Sequence, residues 1–153
     1  MPEQEIILSL ERAKADAIVF ESEYENIILN VQKSNTRISE YICMDSNCDG
    51  KFKTVADFIN EGTELLKAGN TDYDNHKIDP DAIASIIFTS GTTSMSKAVM
   101  LSNKNIASNI YNINLAEKIY DTDVNMAFLP LHHTFGSTAL LLFLADGVTN
   151  VFC

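Results

Sequence analysis

Short apolar runs alternate with helical patterns along the whole chain, and no other feature restricts the fold as much. Residues 2–14 put Pro2 at a first turn with Ile6, Leu10 and Ala13 at helical spacing, which predicts a helix. Residues 17–20 form a compact apolar run and predict a strand. Ser22 is expected to cap a second helix, with Glu25 completing a capping box and Ile27, Ile28 and Val31 on its buried side. The alternation over 37–44 predicts a second strand, and 45–50 a turn. Thr54 then caps a helix reaching Ala68, with Val55, Phe58, Ile59, Leu65 and Leu66 on one face. Gly69 stands where a helix end needs a left-handed residue.

The second half repeats the scheme. A strand is predicted over 85–89, a hydroxyl-rich loop over 90–97 and a short extended piece over 99–101. Ser102 caps a helix running to about Ile119, with Ile106, Ile110 and Ile113 on one side. A strand over 124–131, a very apolar helix over 135–145 and a last strand over 149–153 follow. No repeat and no Gly/Ser- or Pro-rich linker divides the chain, and the polar stretch 70–80 separates segment 1–80 from segment 81–153. Strands alternating with helices predict an α/β fold: a layered helix–sheet–helix domain with about five largely parallel strands. Ligands of such sheets sit beyond the carboxyl ends of the strands, where Thr89 and Pro130 fall.

Composition excludes several classes. The 153 residues are 46% hydrophobic and 21% charged with 6 Gly and 3 Pro, which excludes disordered and collagen-like chains. The net charge of −10 argues against a nucleic-acid or anionic-membrane partner. Of the 21 acidic residues, 16 lie before residue 81, so the second segment is poor in charge and is expected to be interior to a larger body. Three cysteines (Cys43, Cys48 and Cys153) give no even framework, so reduced thiols are expected. The start shows no signal peptide, and the longest apolar run, 139–145, is too short for a transmembrane segment. The expectation is a soluble, cytoplasmic protein.

The segment richest in chemistry is TSGTTSMSK, residues 89–97. Six hydroxyl side chains, Gly91 and a closing Lys97 follow directly from a buried strand. Hydroxyls and successive backbone N–H groups are donors and Lys97 is a point charge, a set suited to wrapping a polyphosphate. It is not a Walker A loop, because Ser96 and Ala98 occupy positions that the motif reserves for Gly and Ser/Thr. On composition alone, a solvated Ser/Thr-rich surface loop explains the segment as well.

The phrase IIFTSGTTSMSKAVMLSNKNI resembles the signature loop of adenylate-forming (AMP-binding) enzymes, usually written TSGTTGxPKGV. FLPLHHTFGST, about thirty residues on, resembles the next motif of that superfamily, in wording closest to the long-chain fatty acid–CoA ligases (acyl-CoA synthetases). ERAKADAIVF and IDPDAIASIIF resemble the stretch that precedes the loop. The resemblance covers nearly the whole chain. It implies a partial N-terminal adenylation domain of a longer enzyme, with ATP, Mg²⁺ and coenzyme A as cofactors and a fatty acid as substrate. The reaction it implies runs from acid and ATP through an acyl-adenylate to acyl-CoA, AMP and pyrophosphate. Matched position by position, Thr89, Ser90, Gly91, Thr92, Thr93 and Lys97 would hold the ATP phosphates. His132 or His133, with Phe135 and Gly136, would lie by the acyl and adenylate pocket. Ser94, Ser96 and Ala98 stand where the family has Gly, Pro and Gly. No adenine-stacking motif, ribose-binding Asp or C-terminal lid with its catalytic Lys is found, so no catalytic residue is assigned and the piece is expected to be inactive alone. Two rival readings are an adenylating enzyme that loads a carrier protein and a non-catalytic nucleotide-binding module.

Other patterns are weaker. If the strand before them persists, the neighbours His132 and His133 point to opposite faces and cannot share a metal. One packed and one exposed histidine would explain them too. DSNCDG, residues 45–50, opens like an EF-hand loop, but Ala56 stands where a bidentate Glu is needed, so a polar turn is expected. Cys43 and Cys48 lack zinc partners and are read as incidental. No Gly-x-Ser-x-Gly elbow supports a serine hydrolase. The apolar stripe 140–144 is expected to be core.

Overall fold

The computed structural model describes residues 2–34, 37–45, 48, 50–89 and 96–152. They form two compact units, Met1–Lys77 and Ile78–Cys153. The class is α/β, as expected, with strands in three small sheets, two parallel and one antiparallel. Among the described residues no helix is long and apolar enough to cross a membrane.

The first unit runs α1 (Glu3–Ala13), β1 (Ala17–Phe20), a 3-10 turn (Ser22–Tyr24), α2 (Glu25–Lys33), β2 (Glu40–Cys43), β3 (Lys53–Thr54), α3 (Val55–Lys67) and the short α4 (Asp72–Asn75). Strands β1, β2 and β3 are parallel neighbours in that order, with Phe20 opposite Cys43 and Cys43 opposite Thr54. The core gathers Phe20, Ile28, Cys43, Cys48 and Phe52, and the Phe20 and Phe52 rings meet edge to face at 5.1 Å. Arg37 Nε donates to Asp16 Oδ1 at 2.8 Å and helps hold the entry of β2 beside that of β1.

Two expectations for this unit are corrected. Ser22 caps no helix: its backbone N–H instead donates to Asp45 Oδ2 at 3.0 Å, because the chain enters α2 through a 3-10 turn. Cys43 and Cys48 are neither reduced nor incidental, since they form a disulfide with their Cα atoms 6.4 Å apart. An odd cysteine count says nothing about which two thiols the turn brings together. With a sequence separation of only 5, the bridge stabilises by about 2 kcal/mol on chain-entropy grounds. The apolar stripe of α3 is also less covered than its spacing predicts, with Ile59, Leu65 and Leu66 largely exposed.

The expected cap of α3 is present. Thr54 Oγ1 accepts from the Asp57 N–H at 3.2 Å, and Asp57 Oδ2 accepts from the Thr54 N–H at 2.8 Å, a reciprocal capping box. These Thr54 hydrogen bonds, the backbone one first, hold the Asp57 carboxyl below its ordinary value of 3.8. A depressed folded value means that the carboxylate adds stability at pH above the ordinary value, and that this is lost as pH falls through the folded one. Thr54→Ala should therefore cost about 1 kcal/mol in denaturant unfolding at neutral pH. Asp57→Ala should flatten the acid limb of the stability profile. Unchanged midpoints in both variants would refute the cap.

The second unit runs β4 (Ile83–Thr89), β5 (Lys97–Ser102), α5 (Asn103–Ala116), β6 (Val124–Ala127), α6 (Thr134–Ala145) and β7 (Thr149–Phe152). β4 and β5 form an antiparallel hairpin, longer than the short extended piece expected after the loop. β6 and β7 are parallel neighbours joined through α6, a βαβ crossover. Ser102 caps α5 as predicted, through a reciprocal box with Asn105. The stripe 140–144 is only partly core: Leu142 is buried, whereas Leu141 and Leu144 are exposed.

Candidate functional site

The hairpin sets the first half of the site. Cross-strand register places Thr89 opposite Lys97 and Phe88 opposite Ala98, so the loop joining the strands starts and ends on one cross-strand pair. Ser90, Gly91, Thr92, Thr93 and Ser94 lie outside the described residues. Thr89 and Lys97 are both exposed, and the Lys97 side chain makes no ion pair among the described residues. Ala98, which replaces a family glycine, lies in regular strand pairing. Among the described residues only Lys14 is a non-glycine with positive φ, so Ala98 carries no left-handed strain.

The second half is the β6–α6 connection. The predicted strand over 124–131 stops at Ala127. Pro130 has no N–H for a ladder, and its carbonyl accepts the His133 N–H at 3.0 Å in a turn instead. His133 is the N-cap of α6: its Nδ1 accepts from the Phe135 N–H at 3.2 Å. That bond fixes the tautomer, leaving the proton on Nε2 when the ring is neutral. Because the strand has ended, the two histidines are not distributed over opposite faces of a sheet. Gly136 is buried one turn into the helix, and a Cβ there would overlap the Pro130 carbonyl oxygen and lie 2.9 Å from its carbon.

A cavity of about 680 Å³ opens beside this connection. His133, Phe135 and Gly136 line it, whereas His132 is exposed and outside its wall. Most of the lining is apolar, from residues such as Met126, Phe128, Leu129 and Phe143. Polar groups enter from Asn109 of α5 and Asn125 of β6. Asn125 Nδ2 donates to Asn150 Oδ1 at 2.8 Å, and Asn150 Nδ2 donates to the Val148 carbonyl at 3.1 Å, so this polar corner is held from the neighbouring strand. Sequence reasoning missed both asparagines. Asn109 lies four residues before Ile113 on one helical face, a usable signal, but nothing local marks Asn125 as a wall residue.

The AMP-binding enzyme family model matches residues 1–153, the whole chain. The chain belongs to the AMP-binding enzyme family. It is 31% identical to fatty acyl-CoA synthetase B of Dictyostelium discoideum over 120 residues, which cover 74% of this chain and 18% of that protein. To luciferin 4-monooxygenase of Photuris pensylvanica it is 30% identical over 153 residues, covering 95% of this chain and 27% of the relative. A red-emitting luciferase of Phrixothrix hirtus superposes with a TM-score of 0.82 at 26% identity, over 99% of this chain and 30% of that one. The chain thus spans between 18% and 27% of the length of these two curated relatives.

Proposed function

We propose that this AMP-binding chain is part of an ATP-dependent ligase that activates a carboxylic acid, a fatty acid, as its adenylate and passes it to coenzyme A. The observation that carries the reading is the hairpin register, which puts Thr89 and Lys97 side by side at the two ends of the hydroxyl-rich loop. On this reading Thr89, Ser90, Gly91, Thr92, Thr93 and Lys97 surround the β- and γ-phosphates of ATP. His133, Phe135 and Gly136 border the acid and its adenylate, and the apolar wall of the 680 Å³ cavity suits an aliphatic chain. His132 lies outside that wall and is a weaker candidate.

The chemistry follows from charge. A carboxylate oxygen attacks the α-phosphorus, the bond to the bridging oxygen breaks, and pyrophosphate leaves carrying the electron pair. Donors around the departing oxygens stabilise that growing charge, and an ammonium group at the loop's end contributes most where it accumulates. The thiol of coenzyme A then attacks the acyl carbon and AMP departs. Mg²⁺ takes oxygen ligands. β4 and β5 contain no carboxylate, and the described group of metal-ligating side chains, Cys43, Asp45 and Cys48, has its sulfurs bonded to each other. The described strands therefore offer Mg²⁺ no carboxylate beside the loop.

The test is exchange of labelled pyrophosphate into ATP by the full-length protein, driven in turn by short-, medium- and long-chain acids. Fatty-acid-dependent exchange, followed by thioester formation with added coenzyme A, is the expected result. Thioester formed only with a phosphopantetheinylated carrier protein would move the acceptor assignment. ATP binding without exchange for any acid would leave a non-catalytic nucleotide-binding module.

A further inference from the structure

We propose that Cys43 and Cys48 form a reversible thiol–disulfide modification site that ties Cys48 to the carboxyl end of the first unit's sheet. The two sulfurs are bonded to each other, and both residues are fully buried, at 0% and 1% exposure, among Phe20, Ile28 and Phe52. Cys43 is the last residue of β2, so the bridge ties Cys48 to the end of that strand. Three weaker ties hold described residues on either side of Cys48. The Met44 N–H donates to the Phe20 carbonyl at 2.7 Å, Asp45 Oδ2 accepts from the Ser22 N–H, and Lys51 pairs with Glu25 at the start of α2. β3 and the capped start of α3 follow immediately.

The reaction is a two-electron exchange with a small-molecule or protein disulfide. One cysteine thiolate attacks that disulfide and expels a thiolate, giving a mixed disulfide. The second cysteine thiolate attacks the protein sulfur of the mixed disulfide and expels the other thiolate. The cysteine pair loses two electrons and two protons, and the oxidant becomes two thiols. Because both sulfurs are buried, exchange requires local opening around Cys43 and Cys48 and is slow in either direction. The noncovalent ties of Met44, Asp45 and Lys51 survive reduction, so the reduced form keeps these contacts but opens locally more often.

The sequence supplies a clean readout, since trypsin cleavage after Arg37 and Lys51 leaves both cysteines in one peptide, residues 38–51. The native protein, carrying Cys153→Ser to remove the third thiol, is equilibrated at graded ratios of reduced to oxidised glutathione. It is then alkylated, digested and weighed. The expected result is a passage from a doubly alkylated peptide to an unlabelled one two hydrogens lighter than the free dithiol peptide, with little singly labelled species. Native-state trypsin cleavage at Lys51 should be faster in the reduced form by on the order of tenfold. Double alkylation at every ratio overturns the proposal. Equal cleavage of the two forms overturns the tie. Zinc uptake by the reduced pair with Asp45, in place of oxidation, would make this a metal site and also overturn it.

Discussion

Gly136→Ala should destabilise the second unit by about 2 kcal/mol, although alanine is the better helix former. Inside an ordinary helix, replacing Gly with Ala gains roughly 1 kcal/mol. At Gly136 the new Cβ would meet backbone, overlapping the Pro130 carbonyl oxygen with the Leu129 carbonyl oxygen only 3.3 Å away. Neither is the end of a flexible side chain, so α6 must move off the turn that precedes it. Overpacking of this kind costs about 1–3 kcal/mol, and occasionally more. Gly62 provides the control: it lies in α3, and a Cβ there meets nothing within 4 Å. Thermal melts of the two variants should therefore move in opposite directions, Gly136→Ala down by about 5–10 °C and Gly62→Ala up by a few degrees. A Gly136→Ala protein melting at or above the parent would show that α6 does not approach Pro130 this closely. Because His133 caps the same helix and lines the cavity, the variant should also weaken binding of the acid proposed for that cavity.

Much of the local structure was legible because the signals are short-range. The Thr54 and Ser102 caps, the left-handed Gly69 at φ +83 and the strand Ala17–Phe20 all follow from residues within one turn of each other. Pairing was less legible. The alternation of helices and strands points to parallel neighbours, which holds for β1–β2–β3 and β6–β7, but nothing in 99–101 announced that the chain folds back on β4. Ser22 has the residue type and spacing of a cap, yet its amide is satisfied by Asp45, a residue 23 positions away that no local rule connects to it. The disulfide is hidden for another reason: its cysteines are only 5 residues apart, but an odd count of thiols does not say which two meet. Of the candidate site, the loop stands out because its hydroxyl residues are concentrated in sequence, whereas the His-Phe-Gly phrase is marked only by its resemblance to a family motif. The choice between His132 and His133 needed the place where β6 ends, and the asparagine corner needed the pairing of β6 with β7.

Lys97→Ala should weaken ATP binding by the full-length protein about 10- to 100-fold and leave the fold intact. The Lys97 side chain is exposed and forms no ion pair among the described residues, so removing it breaks no structural salt bridge. Its contribution to β5 is the backbone pairing with Thr89, which alanine retains. Surface substitutions of this kind change stability by within about 0.5 kcal/mol. A hydrogen bond from an ammonium to a phosphate contributes about 1.5–3 kcal/mol, which corresponds to the expected loss in affinity. Lys97→Arg keeps the charge but spreads it over a planar fork and should recover part of the binding. If the ammonium also follows the charge onto departing pyrophosphate, exchange should fall further than ATP affinity does. Equal binding by parent and Lys97→Ala, with matching melts, would remove Lys97 from the phosphate site and leave the loop's hydroxyls and backbone amides as the remaining donors.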